Sequence, residues 1–500
     1  MKRLYSYLST FSPLFFLCSF LILALCPPLR FNLIHNFFEY DMKRLLQISL
    51  FFSAVVSVLI SPGILRSMLD NFAQMRALIK YALSLFFLIG LISSFHAKIP
   101  MASLVECASF LLLLLYALFW HSVGVRMGKN IFLATVFLPL VALTAYFCFI
   151  FSAYQHYLIG RSPFNLFPYF QNLRQFARFM GWVIPILPLL TICARKSASP
   201  FILRPIFFVF SSLCWFLVIS NVSRALFASL ILSSLITIVY FRRNSFAWFF
   251  HQFSYLGTAV LLYFILQHNH FFPPTLTPNN VLQHIYNGIF SDRIYHYLFA
   301  LKLSIAHPFL GVGPMHFALY REAGSTKPHN FILLILSEWG IPALLVFLGV
   351  VFSTLKQFMS SLKRVLTINE KVAQDVNLIV VAQVTALLTG LIFSLFSPVM
   401  SSPLSQVFFS VTLGNCMTLS RYSTLLFDNK DTAKRKVGVF EKQLSTTILS
   451  AVIVFSTAVY SVGVIPQIST LSKSTVVWLL NHPEDQVFYP RFWAQAWLFK

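Results

Sequence analysis

The feature that most constrains this chain is a succession of apolar runs, each close to twenty residues long and almost free of charge. About thirteen can be delimited, at 8–26, 46–65, 78–95, 102–123, 131–154, 178–194, 201–221, 225–241, 252–268, 329–353, 377–397, 403–420 and 445–468. A bilayer core about 30 Å thick is crossed by about twenty residues of helix. Backbone polar groups in lipid must be satisfied within the segment or within a closed barrel, and these runs lack the alternation of a barrel strand. The chain therefore reads as an all-α integral membrane protein with about 12–13 transmembrane helices. Composition agrees: 58% of residues are hydrophobic, 57 are Phe and only 10% are charged, against about 25% charged in a soluble protein. A soluble enzyme, a disordered chain and a disulfide scaffold are excluded.

The net charge of +23 comes from 37 Lys and Arg against 14 Asp and Glu. These positive charges are scattered through short loops, which suits membrane orientation and anionic headgroups, and no nucleic-acid partner is expected. With the N-terminus inside, the basic segments Arg66 to Lys80, Arg126 to Lys129, Arg195-Lys196, Arg242-Arg243, Lys356 to Lys371 and Arg421 to Lys442 fall on the inner side. The chain then divides into N-terminal helices at 1–268, a large outer loop at 269–328, C-terminal helices at 329–468 and an outer tail at 469–500. The first run follows Lys2-Arg3 but lacks an A-x-A cleavage site, so it reads as an uncleaved helix. Arg161, Arg174, Arg178, Arg224, Arg293 and Arg321 fall outside, against the positive-inside bias, and need another reason. The seven cysteines, Cys18, Cys26, Cys107, Cys148, Cys193, Cys214 and Cys416, lie in or beside apolar runs with no CxxC spacing, so packing is expected rather than disulfides or metal.

Several outer residues invite chemistry, each beside a plainer reading. His329-Asn330 stands where a span begins, and the positive end of a helix favours a neutral imidazole able to take a proton. Taken alone the pair reads first as a helix cap, and the spacing to Gly340 with the arginines on the same side turns the reading towards a base. Arg224 precedes an apolar run, which places its guanidinium at headgroup depth as a phosphate ligand or as a snorkelling anchor. Residues 292–306 read as an interfacial helix with Ile294, Tyr297, Leu298, Leu301 and Ile305 on one stripe and with Arg293 and His296 off it. Gly311-Val-Gly313 reads as a phosphate nest or, more simply, as a turn that returns Arg293 towards His329. His316 is a rival base in the same loop, and His268 and His270 are too few to suggest metal. Glu338, about 13 Å into its helix, reads as a buried partner. Glu338 and Glu106 are the exceptional acidic residues within the spans, which disfavours an ion-coupled transporter.

Three ordered motifs carry a resemblance. They are Ser223-Arg224-Ala225; Ser291-Asp292-Arg293; and His307-Pro-Phe-Leu-Gly-Val-Gly313 followed by His329-Asn330, nine residues and Gly340. Phe170 to Phe176, with Arg174, resembles a further arginine segment. The set resembles the superfamily of O-antigen ligases, O-antigen polymerases and protein O-oligosaccharyltransferases. The resemblance implies a metal-independent, inverting glycosyltransferase without a cofactor. Its donor would be a glycan on undecaprenyl pyrophosphate, and its active site would face the periplasm from a Gram-negative inner membrane. It implies His329 as base, with Arg224 and Arg293 on the diphosphate and Arg174, Asn330, Gly311 and Gly313 helping to bind the lipid-linked glycan. Ala343 stands where ligases often carry Gly, Thr or Tyr. Ligation of O-antigen to lipid A-core comes first, polymerisation onto a growing glycan second and transfer to a protein hydroxyl third. A flippase for lipid-linked oligosaccharide is the rival from another class.

Overall fold

The computed structural model describes residues 2–25, 39–128, 130–160, 167, 170, 173–221, 223–268, 293–320, 325–365, 370–427 and 439–464. Sixteen α-helices are described there and the described residues contain no strand. In chain order they are α1 (Lys2–Leu25), α2 (Glu39–Ile60), α3 (Pro62–Gln74), α4 (Ala77–His96), α5 (Pro100–Met127) and α6 (Asn130–Leu158). Next come α7 (Leu173–Val183), α8 (Leu190–Lys196), α9 (Pro200–Asn221), α10 (Arg224–Phe241), α11 (Phe246–His268) and α12 (Arg293–Ala306). The last four are α13 (Phe331–Val365), α14 (Glu370–Phe393), α15 (Pro403–Phe427) and α16 (Val439–Gly463). The apolar runs found in the sequence fall on these helices, with 46–65 shared by α2 and α3 and 178–194 shared by α7, a 3-10 stretch at Ile184–Leu189 and α8. Among the described residues, nine helical stretches are long and apolar enough to cross a membrane, and one of them, Arg224–Leu266, takes in both α10 and α11. The molecule is an all-α, multi-pass membrane protein.

Two boundaries differ from the sequence reading. The run 46–65 is cut at Ser61, because Pro62 has no N–H to continue α2 and instead opens α3. The basic segment Arg66 to Lys80 is not a loop: it holds most of α3 and the start of α4. Cys26, Arg161, His270, Ser291-Asp292, Arg321 and the tail 469–500 lie outside the described residues.

Helices apolar on every side lie inside, and α5 and α14 are of this kind. α5 packs along α15 and also meets α16, α3 and α4, while α14 packs along α10. Lipid cannot drive helix association by burial alone, so polar contacts between spans help to fix it. Ser233 meets Thr389 at 2.7 Å and Thr385 meets Thr237 at 3.1 Å between α10 and α14, and Trp120 Nε1 donates to Asn415 Oδ1 at 3.0 Å between α5 and α15.

Candidate active site at the start of α13

The scaffold of the site is a break in α13. Gly340 has φ 86° and ψ 173°, and Pro342 follows two residues later. The Ile341 N–H, which in an unbroken helix would donate to Ser337 O, donates instead to Pro308 O at 2.8 Å. Pro342 has no N–H to offer Glu338 O. Two carbonyls are thereby left without their helical donors inside the membrane, where each would cost several kcal/mol, on the order of 2–7, if unmet. The turn after α12 meets both: Val312 N–H donates to Ser337 O and Gly313 N–H to Glu338 O, each at 3.0 Å. The backbones touch so closely that a Cβ on Gly340 would lie 2.3 Å from Phe309 O, and one on Gly311 would lie 2.3 Å from the Glu338 carbonyl carbon. The spacing from the G-x-G turn to Gly340 is thus the spacing of two interlocking backbones.

The Glu338 side chain completes the lock. It is fully buried, and its Oε2 and Oε1 accept from Met315 N–H and Phe317 N–H, both at 3.0 Å. His316 is 1% exposed; Ile99 N–H donates to its Nε2 at 2.9 Å, and its Nδ1 lies 2.9 Å from Pro314 O. Both ring nitrogens are engaged and the ring is sealed from any acceptor, so His316 is a scaffold residue and not the rival base. Gly311 and Gly313 need the same correction: Gly311 N–H donates to His307 O and Gly313 N–H to Glu338 O, so neither amide is left for a phosphate. Their part is the turn.

His329 and Asn330 divide the two readings of that pair between them. Asn330 is the cap: its Oδ1 accepts from Ile332 N–H at 2.9 Å and Leu333 N–H at 3.1 Å. The Phe331 N–H is taken by Ser394 O at 3.0 Å. His329 has φ 57°, a left-handed conformation costing a non-glycine residue about 1–3 kcal/mol. Its Nε2 lies 3.3 Å from Ser325 Oγ and its ring centroid 5.7 Å from that of His296. Burial, then the positive charges of Lys327, Arg178 and Arg293, and then His296 push its pKa down to about 3. The imidazole is therefore neutral at neutral pH, with burial as the leading cause rather than the helix end expected from sequence.

The arginines come from three other elements. Arg174 is in the first turn of α7, Arg224 opens α10 after Ser223, and Arg293 opens α12. Arg293 is half-buried; its burial and the nearby charges of Arg174 and Arg224 lower its pKa, with Tyr297 opposing. Arg178, one turn beyond Arg174, is buried and has Tyr40, Arg174 and Arg293 as electrostatic neighbours. Sequence reading placed Arg174, Arg224, Arg293 and His329 at one surface, and the fold brings them into one electrostatic neighbourhood.

It flagged Arg178 as an outer arginine without giving it a place in the site, and it did not single out Lys327. The i, i+4 spacing of Arg174 and Arg178 on one helix face was the available signal; for Lys327 it was only closeness in sequence to His329. Both are held by the turn joining α14 to α15. Arg178 Nε donates to Ser397 Oγ at 3.1 Å and Lys327 Nζ to Ser401 Oγ at 3.0 Å. Tyr40 and Arg44 of α2 reach the same turn at Ser401 O, by 2.6 and 2.5 Å. α12 lies over the site with His296, Phe299, Ala300 and Leu303 inward and Ile294, Leu298, Leu301 and Ile305 exposed. The apolar stripe thus faces outwards, as on an interfacial helix whose solvent is lipid.

Like charges held close repel, and a polyanion relieves that repulsion. The arrangement is suited to an anion with several oxygens, beside an imidazole able to accept a proton. Among the described residues, no three His, Cys, Asp or Glu side chains group as metal ligands. No curated protein matches the chain. Residues 207–348 match the family model for O-antigen ligase, a stretch that includes Arg224, Arg293, the Gly311-Val-Gly313 turn, His329 and Gly340. Over that stretch the chain is similar to the O-antigen ligase family.

Proposed function

We propose that this O-antigen ligase or polymerase-type membrane enzyme transfers a glycan from undecaprenyl pyrophosphate to an acceptor hydroxyl, with lipid A-core as the first choice of acceptor. The observation that carries the reading is the placement of the His329 ring, 5.7 Å from that of His296, beside the cluster of Arg174, Arg178, Arg224 and Arg293. Arg293 and Arg224, with Arg174 beside them, hold the donor diphosphate, and their planar forks match its oxygens. The acceptor oxygen attacks the anomeric carbon as its proton passes to His329. The bond from that carbon to the diphosphate oxygen breaks, and undecaprenyl pyrophosphate leaves with the electron pair. Attack opposite the leaving group inverts the centre. Charge grows on the diphosphate as the bond breaks, so fixed guanidiniums act most strongly in the transition state. The site faces the periplasm of a Gram-negative inner membrane, where the positive-inside bias puts the start of α13.

The test is purified protein in nanodiscs given undecaprenyl-pyrophosphate glycan with lipid A-core. Released undecaprenyl pyrophosphate and a coupled product of inverted configuration are expected. Product only with a glycan acceptor, or only with a protein acceptor, assigns polymerisation or protein glycosylation instead. No product with any of the three leaves the transporter reading.

A further inference from the structure

At the end of the bundle away from His329, α8, α9, α11 and α14 line a half-open cavity of about 660 Å³. Its walls mix two chemistries. Arg195, Arg204 and His251 are basic, while Phe207, Phe208 and Tyr255 are aromatic. Arg195 Nη2 donates to Asp375 Oδ1 at 2.6 Å and Lys196 Nζ lies 3.6 Å from Asp375 Oδ2. One carboxylate thus serves two cations, and Arg204 adds a third, so the region is net positive. The surrounding surface is strongly apolar: Phe201 is 86% exposed, Phe250 70% and Ile202 62%, as expected of side chains facing acyl chains. The volume lies within the range of about 300–1,000 Å³ usual for small-molecule sites, more than a lone inorganic anion needs.

We propose that this cavity binds an anionic phospholipid, with its phosphate on Arg204 and Arg195 and its first acyl carbons against Phe207, Phe208 and Tyr255. A guanidinium fork fits a phosphodiester, and the aromatic walls accept the hydrocarbon that follows it. A free phosphate would satisfy the arginines but leave those walls empty. This site is separate from the transfer reaction and does not rest on it. By the same positive-inside bias it lies in the cytoplasmic leaflet, where anionic lipid gathers.

The experiment is native mass spectrometry of the full chain released from nanodiscs of mixed phosphatidylglycerol and phosphatidylcholine. Two variants are compared: Arg204→Gln, which removes a charge from an exposed side chain, and Ala247→Trp, which fills the cavity while leaving all three basic groups in place. Thermal unfolding in pure phosphatidylcholine checks that each is folded. Preferential retention of phosphatidylglycerol, reduced about tenfold in affinity by either folded variant and unaffected by excess inorganic phosphate, is expected. Equal retention of the two lipids, or phosphatidylglycerol binding unchanged in both variants, overturns the site. Displacement of the lipid by inorganic phosphate overturns the phospholipid as its occupant.

Discussion

The two ends of the helix bundle treat positive charge in opposite ways. At the α8–α14 end, Arg195 and Lys196 close on Asp375, with side chains 40%, 52% and 33% exposed. At the α7–α13 end, the neighbours of the half-buried Arg293 include Arg174 and Arg224, and the buried Arg178 faces Arg174 and Arg293. The first arrangement is ordinary surface pairing, worth about 0–1 kcal/mol. The second gathers like charges at one place, held by hydrogen bonds donated to the α14–α15 turn and by a backbone interlock at Gly340. Several guanidiniums gathered by a rigid scaffold suit that end to a diphosphate, which carries more charge than the single phosphodiester proposed for the other end.

The contrast can be broken most sharply at His329. His329→Ala removes the proton acceptor, and single-turnover transfer should fall about 10²–10⁴-fold. A near-normal rate in stopped assays would remove His329 from the reaction. Next in size is Arg293→Lys, which keeps the charge but loses the fork; transfer should fall about 10–100-fold, as loss of a charge-assisted hydrogen bond of about 1.5–3 kcal/mol requires.

Acid sharpens the comparison from another side. A histidine with the ordinary pKa of about 6.5 would lose about 25-fold in neutral fraction between pH 7 and pH 5. With its pKa pushed down to about 3, His329 stays neutral there, and the rate at low donor concentration should be level from pH 7 to about 5. The sign for stability is the reverse of a paired histidine: the unfolded chain binds the proton first, so stability declines as pH falls below about 6.5 towards the folded value.

Glu338→Gln tests the scaffold. Gln keeps one carboxamide oxygen for two backbone donors, Met315 N–H and Phe317 N–H, and introduces an NH2 group beside them. About 1.5–3 kcal/mol of stability should be lost, read by thermal unfolding in nanodiscs. The smallest effect belongs to the opposite end. Asp375→Asn should cost less than about 1 kcal/mol and leave transfer unchanged. A large loss of transfer there would erase the distinction between the ends.

Much of the fold was legible because in lipid the constraint is simple: apolar runs of spanning length become helices, and these did. Segment edges were less legible. Pro62 ends a run that hydropathy alone carries to 65. The stripe on α12 was read correctly as helical, and its outward direction follows from lipid being the solvent. Within the site, arginines on the wrong side of the positive-inside bias pointed to Arg174, Arg178, Arg224 and Arg293. What the sequence hid was the purpose of the glycines. The need for Val312 and Gly313 to meet carbonyls released at Ser337 and Glu338 is a long-range backbone fact that no local pattern encodes. For the same reason the roles of Asn330 as cap and His316 as buried strut appeared only once their partners were placed.

The most direct test of the central claim, that cations hold the diphosphate while His329 acts only on the acceptor, is donor affinity. It is measured with undecaprenyl-pyrophosphate glycan and protein in nanodiscs, comparing His329→Ala with Arg293→Lys. The account predicts that His329→Ala binds donor as tightly as the unaltered protein, while Arg293→Lys binds it about tenfold or more weakly. Loss of donor binding in His329→Ala together with unchanged binding in Arg293→Lys would contradict it.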